Sequence, residues 1–291
     1  MSGWNRGVSR VRNPVVVPPV LVGVALVALL VGLRLVLRQQ AALARRRIGK
    51  PLGEEALDAD RLWRRGLDGE PLELLVLGDS IAAGLGAFGD SIAAGLGAEH
   101  RKETLGGRLA KATGRRMHRP VRLRTVAVVG SESPDLPGQL DALPTDYRPH
   151  VAVIVVGGND VTHRLPVALS AQHLHDTIRR LRERGAEVVV GTCPDLGALR
   201  AVPQPLRRLA SSLSRRLAEI QDETARRAGA EPVDLRRAVG PMFFDEPEAM
   251  FSLDRFHPSA LGYRRTAEAL LPAVCRAAEA SLSSRRLPVP R

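Results

Sequence analysis

Five residues in four short segments have the chemistry that nucleophilic attack on a carbonyl group requires. Ser80 offers a hydroxyl nucleophile, and His257 lies three residues after Asp254, a carboxylate that can hold its Nδ1–H. Asn159 offers a neutral amide donor, and Gly130 lets a backbone N–H approach a substrate oxygen. Each residue alone also fits an ordinary turn. Together they supply a nucleophile, a base with its carboxylate, and oxyanion donors, as an acyl-transfer site requires.

A parallel sheet would bring these segments together. Continuous apolar runs alternate with stretches of helical periodicity, which predicts strands buried on both faces by helices. The predicted strands are 72–77, 121–129, 151–156, 186–192 and 231–235, and the clearest helices are 167–184, 205–228 and 259–281. Ser80, Gly130 and Asn159 each follow a predicted strand, so we expect them at the carboxyl edge of the sheet.

The motifs resemble the four blocks of the SGNH, or GDSL-type, hydrolases in the order which that family uses. They are Gly78-Asp79-Ser80, Gly130, Gly157-x-Asn159-Asp160 and Asp254-x-x-His257, and the resemblance covers about residues 72–280. It implies a three-layer α/β/α sandwich with a five-stranded parallel sheet of flavodoxin-like type. It also implies esterase or lipase activity on a small-molecule or lipid ester, with no metal and no cofactor.

The resemblance also implies a role for each matching residue. Ser80 would be the nucleophile, His257 the base and Asp254 its orienting partner. The backbone N–H groups of Ser80 and Gly130 and the side chain of Asn159 would form the oxyanion hole. These roles are expectations for the structure and for experiment.

The first block occurs twice, which departs from the family pattern. GDSIAAGLGA fills residues 78–87 and again residues 89–98, and this indicates a local duplication that lengthens one strand-to-helix connection by eleven residues. Gly84 to Gly89 matches the dinucleotide fingerprint, but it begins seven residues beyond the strand end and predicts no cofactor site. The alternative function is a membrane-anchored binding or scaffold module whose hydrolase site the duplication has inactivated.

Of the two duplicated serines, the sequence favours Ser80 as nucleophile. The apolar strand runs directly into Gly78-Asp79-Ser80, whereas three glycines shortly before Ser91 make a poor buried strand. Using Ser91 would pull the strand out of the sheet, at about 1.5 to 3 kcal/mol per large apolar side chain. Lengthening the loop costs only about a fraction of 1 kcal/mol. Ser91 is then expected to be a cap or loop residue near the pocket mouth.

The N-terminal residues predict a membrane-spanning helix at about 14–37, within a basic segment 1–50. Residues 14–33 contain no charge and are numerous enough to cross a bilayer. A cleaved signal peptide, with Ala42-Leu43-Ala44 as its cleavage site, is the competing interpretation, and its apolar region would be unusually long. A helix that packs one face on the core of a domain would show a polar face opposite, and this stretch has none.

These features predict a single-pass protein of the cell membrane. Three arginines precede the span and six basic residues follow it, a small bias that favours a cytoplasmic catalytic domain but does not decide the side. Residues 51–70 are polar and unpatterned and predict a linker or a short docking helix. The hydrolase domain is expected at 71–282, followed by a basic tail at 283–291.

Composition excludes other classes of protein. The net charge of +12 resides in residues 1–50 and in the tail, so the middle of the chain is neutral, and only 3% of residues are aromatic. Both features argue against nucleic-acid binding. His173 and His175 point apart on a helix and predict no metal site, and Cys193 and Cys275 are expected to be buried free thiols. Forty arginines against three lysines indicate a GC-rich bacterial genome.

Overall fold

The computed structural model describes residues 19–48, 57–85 and 100–286. Within these ranges the helices are α1 (Pro19–Arg47), α2 (Ser80–Ala83), α3 (Leu105–Met117), α4 (Leu136–Asp141), α5 (Gly158–His163), α6 (Val167–Glu183), α7 (Leu206–Arg227), α8 (Leu235–Ala238), α9 (Gly240–Asp245), α10 (Pro247–Met250) and α11 (Ala260–Arg286). The strands are β1 (Leu62–Trp63), β2 (Leu72–Gly78), β3 (Val121–Thr125), β4 (Val151–Val155), β5 (Glu187–Gly191) and β6 (Glu231–Val233).

The six strands form one sheet in the order β1-β3-β2-β4-β5-β6. All neighbours from β3 to β6 are parallel, and β1 pairs antiparallel with β3 at the edge. The order of the five parallel strands is that of flavodoxin-like folds, in which the first strand lies between the second and the third. The predicted three-layer α/β/α fold is therefore confirmed.

Alternation along β2 builds a core on each face of the sheet. Leu72, Leu74 and Val76 point to the side covered by α3 and α11, and Leu75 and Leu77 point to the side covered by α4, α6 and part of α7. All five side chains are fully buried. A strand buried on both faces needs apolar residues at nearly every position, and β2 has one charged residue, the half-buried Glu73 near its start.

The structure differs from the sequence prediction in several element bounds. The N-terminal helix, predicted at about 14–37, is described from Pro19 and continues to Arg47, and the strand predicted at 231–235 ends at Val233. β3 ends at Thr125 rather than at Val129, although the N–H groups of Val126 and Val128 still donate to the carbonyls of Val76 and Gly78. The last helix continues to Arg286. The segment predicted as a linker contributes β1, whose two residues are too few to show a periodic pattern.

The N-terminal helix α1 has two parts with different surroundings. The large apolar side chains from Val20 to Leu35 are mostly exposed, and α1 is the one helix in the described residues that is long and apolar enough to cross a membrane. Its C-terminal part packs against the sheet domain. Ala44 is buried beside Leu196 and Leu199, and Gln40 Oε1 accepts a hydrogen bond of 2.9 Å from the N–H of Leu206 at the start of α7.

Candidate active site

A tight turn after β2 places Ser80. Gly78 has φ of 133°, and a Cβ there would lie 1.9 Å from the carbonyl oxygen of Val155 on β4, so no other residue fits. The N–H of Asp79 donates to that same carbonyl at 3.0 Å. The carboxylate of Asp79 accepts from the N–H of Ile81 at 2.9 Å and caps α2. Ser80 therefore begins α2 at the carboxyl edge of the sheet.

Ser80, His257 and Asp254 form a continuous chain of hydrogen bonds. Ser80 Oγ lies 3.0 Å from His257 Nε2, and His257 Nδ1 lies 2.6 Å from Asp254 Oδ2. Ser80 and Asp254 are buried, and 9% of the surface of His257 is exposed. Both distances are within hydrogen-bonding range for a nucleophile, a base and the carboxylate that orients the base.

Contacts within the loop before α11 fix the positions of the His257 imidazole and the Asp254 carboxylate. An antiparallel bridge joins Phe251 to Pro258, and the N–H of Ser252 donates to the carbonyl of His257 at 2.8 Å. The Phe256 ring meets the imidazole edge to face, with centroids 5.0 Å apart. These contacts fix the ring between Asp254 and Ser80.

Asp254 is a buried carboxylate with a full set of donors. Burial alone would raise its pKa, but hydrogen bonds from His257, from the hydroxyl of Ser252 and from the N–H groups of Phe256 and His257 lower the pKa to about 2. It therefore stays ionised at neutral pH. A permanent negative charge beside Nδ1 is the arrangement that would stabilise an imidazolium at His257.

Two of the three predicted oxyanion donors, Asn159 and Gly130, lie in different environments. Asn159, at the start of α5, donates from Nδ2 to the carbonyl of Ser131 at 2.9 Å, which leaves its second N–H available. Asn159 lines the cavity that contains Ser80 and His257. Gly130 has φ of 85° and is exposed on the neighbouring turn, outside the lining of that cavity. Its oxyanion role stays a prediction.

Gln139 is a buried residue at this edge that sequence reasoning missed. Its side chain forms two hydrogen bonds with the backbone of Gly78, accepting from the N–H at 2.8 Å and donating to the carbonyl at 2.7 Å. It also donates to Ser131 Oγ at 3.1 Å. Gln139 therefore couples the turn of the nucleophile to the loop that carries Gly130. A glutamine on a short helix gives no sequence signal for this role.

Asp160 is a second buried residue for which the sequence predicted no role. Its carboxylate accepts from Ser170 Oγ at 2.6 Å and from the N–H of Ser133 at 3.2 and 3.3 Å. These bonds tie α5 to α6 and to the loop after β3. Asn159 thus projects from a short helix that is held on both sides.

An apolar cavity extends from the reactive groups. Ser80, Asn159 and His257 lie along its wall. Its apolar lining consists of Ile81, Pro194, Leu196, Ala198, Leu199, Leu235, Val239, Phe243, Phe251, Phe256 and Pro258. Such a lining suits an uncharged chain of carbon atoms.

Tyr263 on α11 contacts the first copy of the duplicated block. The hydroxyl of Tyr263 is fully buried and donates to the carbonyl of Leu85 at 2.7 Å. Burial raises the pKa of this phenol far above its usual range, so it remains a donor. Ser91, expected near the pocket mouth, lies outside the described residues.

The sequence has relatives among known hydrolases. Residues 87–265 match the GDSL-like Lipase/Acylhydrolase family, which is more than half of the chain. The chain belongs to this family. The GDSL-like esterase Rv1075c of Mycobacterium tuberculosis (strain ATCC 25618 / H37Rv) is 44% identical over 214 residues, which cover 73% of this chain. The match spans 64% of the length of that relative.

Solved structures of a lipase and of a lipase/acylhydrolase share the fold. The lipase Lip_vut3 from a goat rumen metagenome aligns with a TM-score of 0.56 and 18% identity over 71% of this chain and 99% of its own. The lipase/acylhydrolase from Enterococcus faecalis aligns with a TM-score of 0.52 and 20% identity over 76% of this chain and 100% of its own.

The GDSL family match includes the second copy of the duplicated block, whereas the geometry of the site involves the first copy. The match begins at Ala87 and so includes the second copy, whereas Ser80 of the first copy lies before it. In the structure it is Ser80 that forms the hydrogen bond to His257. Strand β2, which must deliver the nucleophile to the sheet edge, is also contiguous with the first copy.

Cys193 and Cys275 are both free and buried, as the sequence predicted. Cys193 packs beneath the glycine turn of Gly157, where a Cβ would lie 2.9 Å from Cys193 Cβ. Burial raises the pKa of the Cys193 thiol well above its usual value. Cys193 is therefore a packing residue below the site rather than a nucleophile.

We expect Asp79→Asn to stabilise the protein at neutral pH. Burial raises the pKa of Asp79 to about 6, against the opposing effects of the Ile81 N–H and of His257. The folded state therefore holds this proton more tightly than the unfolded chain, and the free energy of unfolding falls as pH rises from about 4 to about 6. Asparagine keeps the acceptor for Ile81 and removes the charge, for an expected gain of about 1 to 3 kcal/mol above about pH 7.

Denaturant unfolding between about pH 4 and pH 8 measures this effect. The gain should shrink toward zero at the acid end. The exposed Asp146→Asn is the matched control and should show no such trend. A gain that is equal at all pH values, or a loss at neutral pH, would contradict the assignment of a costly buried charge to Asp79.

Proposed function

We propose that this GDSL-family chain is a membrane-anchored serine hydrolase that cleaves carboxylic esters through an acyl-enzyme. The observation that carries the proposal is the chain of hydrogen bonds from Ser80 to His257 to Asp254 at the wall of an apolar cavity. The family assignment adds that the relatives are lipases and acylhydrolases. The esterase named among them gives the same reaction class.

In the acylation step, Ser80 Oγ attacks the ester carbonyl carbon and His257 Nε2 takes the hydroxyl proton. The ionised Asp254 stabilises the resulting imidazolium through Nδ1. The tetrahedral intermediate collapses when the bond to the alcohol oxygen breaks and His257 returns the proton to that oxygen. The alcohol leaves, and Ser80 carries the acyl group.

Deacylation repeats these steps with water. His257 takes a proton from water, the hydroxide attacks the acyl carbonyl carbon, and the proton returns to Ser80 Oγ as the acid departs. In both halves negative charge develops on the carbonyl oxygen. The second N–H of Asn159 and the backbone N–H groups of Ser80 and Gly130 are the proposed donors to it.

The alternative, a binding or scaffold module with an inactive site, predicts a broken arrangement around Ser80. The hydrogen bond of 3.0 Å from Ser80 Oγ to His257 Nε2 and the hydrogen bond from Tyr263 to the carbonyl of Leu85 favour the enzyme instead. Both contacts use the first copy of the block. The duplication therefore adds residues after a complete turn and leaves the turn itself in place.

The proposed anchor is an uncleaved α1. Cleavage after Ala44 would remove the hydrogen bond from Leu206 to Gln40 and the buried methyl group of Ala44. The exposed apolar part of α1 has no partner within the described residues, and a bilayer would cover it. The substrate is then a small-molecule or lipid ester that reaches an enzyme held at the cell membrane.

We expect a fluorophosphonate probe to label Ser80 and no other residue. Ser80→Ala should abolish labelling, and Ser91→Ala, the matched control, should retain it. His257→Ala should lower kcat for a p-nitrophenyl ester by about 10³-fold or more, because it removes the group proposed to accept the proton of Ser80 Oγ. Mass spectrometry of the digested adduct identifies the labelled serine.

Two outcomes would overturn this assignment. An adduct on Ser91, with activity that survives in Ser80→Ala, would move the nucleophile to the second copy. Absence of labelling in a chain with a normal thermal transition would favour the binding module.

We expect Asn159→Ala to lower kcat by about 10²- to 10³-fold with little change in KM. The amide would act on charge that is present mainly in the transition state. Gln172→Ala, at an exposed position on α6, is the control and should be neutral. A raised KM with unchanged kcat would make Asn159 a residue that binds the ground state.

We expect the full-length chain to stay in the membrane fraction after high-salt and carbonate washing. An apolar helical span is not an electrostatic attachment, so neither treatment should release it. A Leu26→Arg/Leu30→Arg variant, which places charge within the exposed apolar part of α1, is the control and should be released. A released mature species that begins at Arg45 would instead establish a signal peptide.

A further inference from the structure

A second concave surface adjoins the loop that carries His257. We call it the arginine groove, and its charged lining residues are Arg47, Arg200, Arg255 and Glu248. The three arginines come from three separate parts of the chain, namely the end of α1, the segment before α7 and the catalytic loop. One acid against three bases leaves the groove with net positive charge.

The catalytic loop is the wall between the apolar cavity and the arginine groove. Phe256, His257 and Pro258 line the cavity, whereas Leu253 and Arg255 line the groove. Phe251 lines both. Arg255 is only two residues from His257, so their Cα atoms are at most about 7.6 Å apart. The groove therefore lies against the same loop that carries the imidazole, on its other side.

The backbone of Arg255 adopts a conformation that arginine rarely uses. Its φ is 60°, in the left-handed region, where a side chain costs about 1 kcal/mol or more. Asp254 on one side and His257 on the other are fixed by their own hydrogen bonds, so the turn between them must be tight. The residue that occupies this turn is a cation rather than the glycine that the conformation favours.

Most N–H groups of the arginine side chains in the groove form no hydrogen bond with a described residue. Arg47 and Arg255 form no side-chain hydrogen bond or ion pair with any other described residue, and Arg200 donates one N–H to the carbonyl of Phe244 at 2.9 Å. Elsewhere, arginines such as Arg226 pair with a neighbouring acid, here Asp222 at 2.9 Å. Three cations with unused donors around one groove favour an anion as its occupant.

We infer that the arginine groove binds an anionic group on the alcohol side of the ester substrate. This inference rests on the proposed ester hydrolysis, because the groove matters only if Ser80 is the reacting centre. The apolar cavity takes the acyl group, and the basic groove takes a carboxylate, sulfonate or phosphate on the leaving alcohol. The preferred substrate class is therefore an amphiphilic anionic ester, with Arg47 of α1 as one of its binding residues.

Three butanoate esters of nitrophenols test the inference with the full-length protein in a nonionic detergent. They share the acyl group and carry a carboxylate, no charge or a trimethylammonium group on the phenol ring. The measured quantity is the ratio of kcat/KM for the anionic ester to that for the cationic ester. Each of Arg47→Gln and Arg255→Gln should lower the wild-type ratio by about two- to fivefold, and the double variant should lower it further.

Arg45→Gln is the matched control, since Arg45 is exposed in the same last turn of α1 but does not line the groove. It should leave the ratio unchanged. Arg47 is far from the catalytic loop in the chain, so its effect separates charge recognition from damage to that loop. High salt should reduce the wild-type ratio, because exposed charges are screened.

The outcomes distinguish the inference from the proposed function. Hydrolysis of all three esters that depends on Ser80, with a ratio unaffected in the Arg47→Gln/Arg255→Gln variant, would overturn the groove and leave the esterase intact. An equal effect of Arg45→Gln would also overturn it, since any basic residue of α1 would then serve. Absence of Ser80-dependent hydrolysis for every ester would overturn both.

Discussion

The hydrogen bond between Ser80 and His257 joins residues 177 positions apart, and it forms only because two turns are fixed independently. On one side, Gly78 approaches β4 so closely that its missing Cβ is a requirement. On the other, the bridge from Phe251 to Pro258 and the donors around Asp254 fix the imidazole. Each half is anchored to a different part of the core, so the reactive geometry is a consequence of the sheet order rather than of local sequence.

Two carboxylates within this site have opposite environments. Asp254 is surrounded by donors and has a pKa of about 2, so it is a permanent anion beside the imidazole. Asp79 is also buried but has fewer donors, and its pKa is about 6. The first arrangement stabilises the charged form on which base catalysis depends. The second stores an unfavourable charge at the start of α2, a cost that the rest of the fold must offset.

Much of the fold follows from the sequence because apolar runs and helical periodicity report burial directly. All five predicted parallel strands and the three predicted helices are present, and the site segments after β2 and β4 converge as expected. β1 was missed because its burial comes from pairing with β3 and not from its own pattern. Gln139 and Asp160 were missed because their importance depends on which backbone atoms they meet, and spacing along the chain does not encode that.

The packing of α1 on the sheet domain links the proposed anchor to the proposed chemistry. Leu37 packs near Leu209 and Leu213 of α7, whereas Arg47 lies beside the catalytic loop, ten residues further along the helix. Ten helical residues span about 15 Å. With the exposed apolar part of α1 in a bilayer, the catalytic loop is held above the end of that part by a rigid spacer. A substrate must then reach the site from the aqueous side, which fits an anionic leaving group in an open groove better than a neutral lipid within the bilayer.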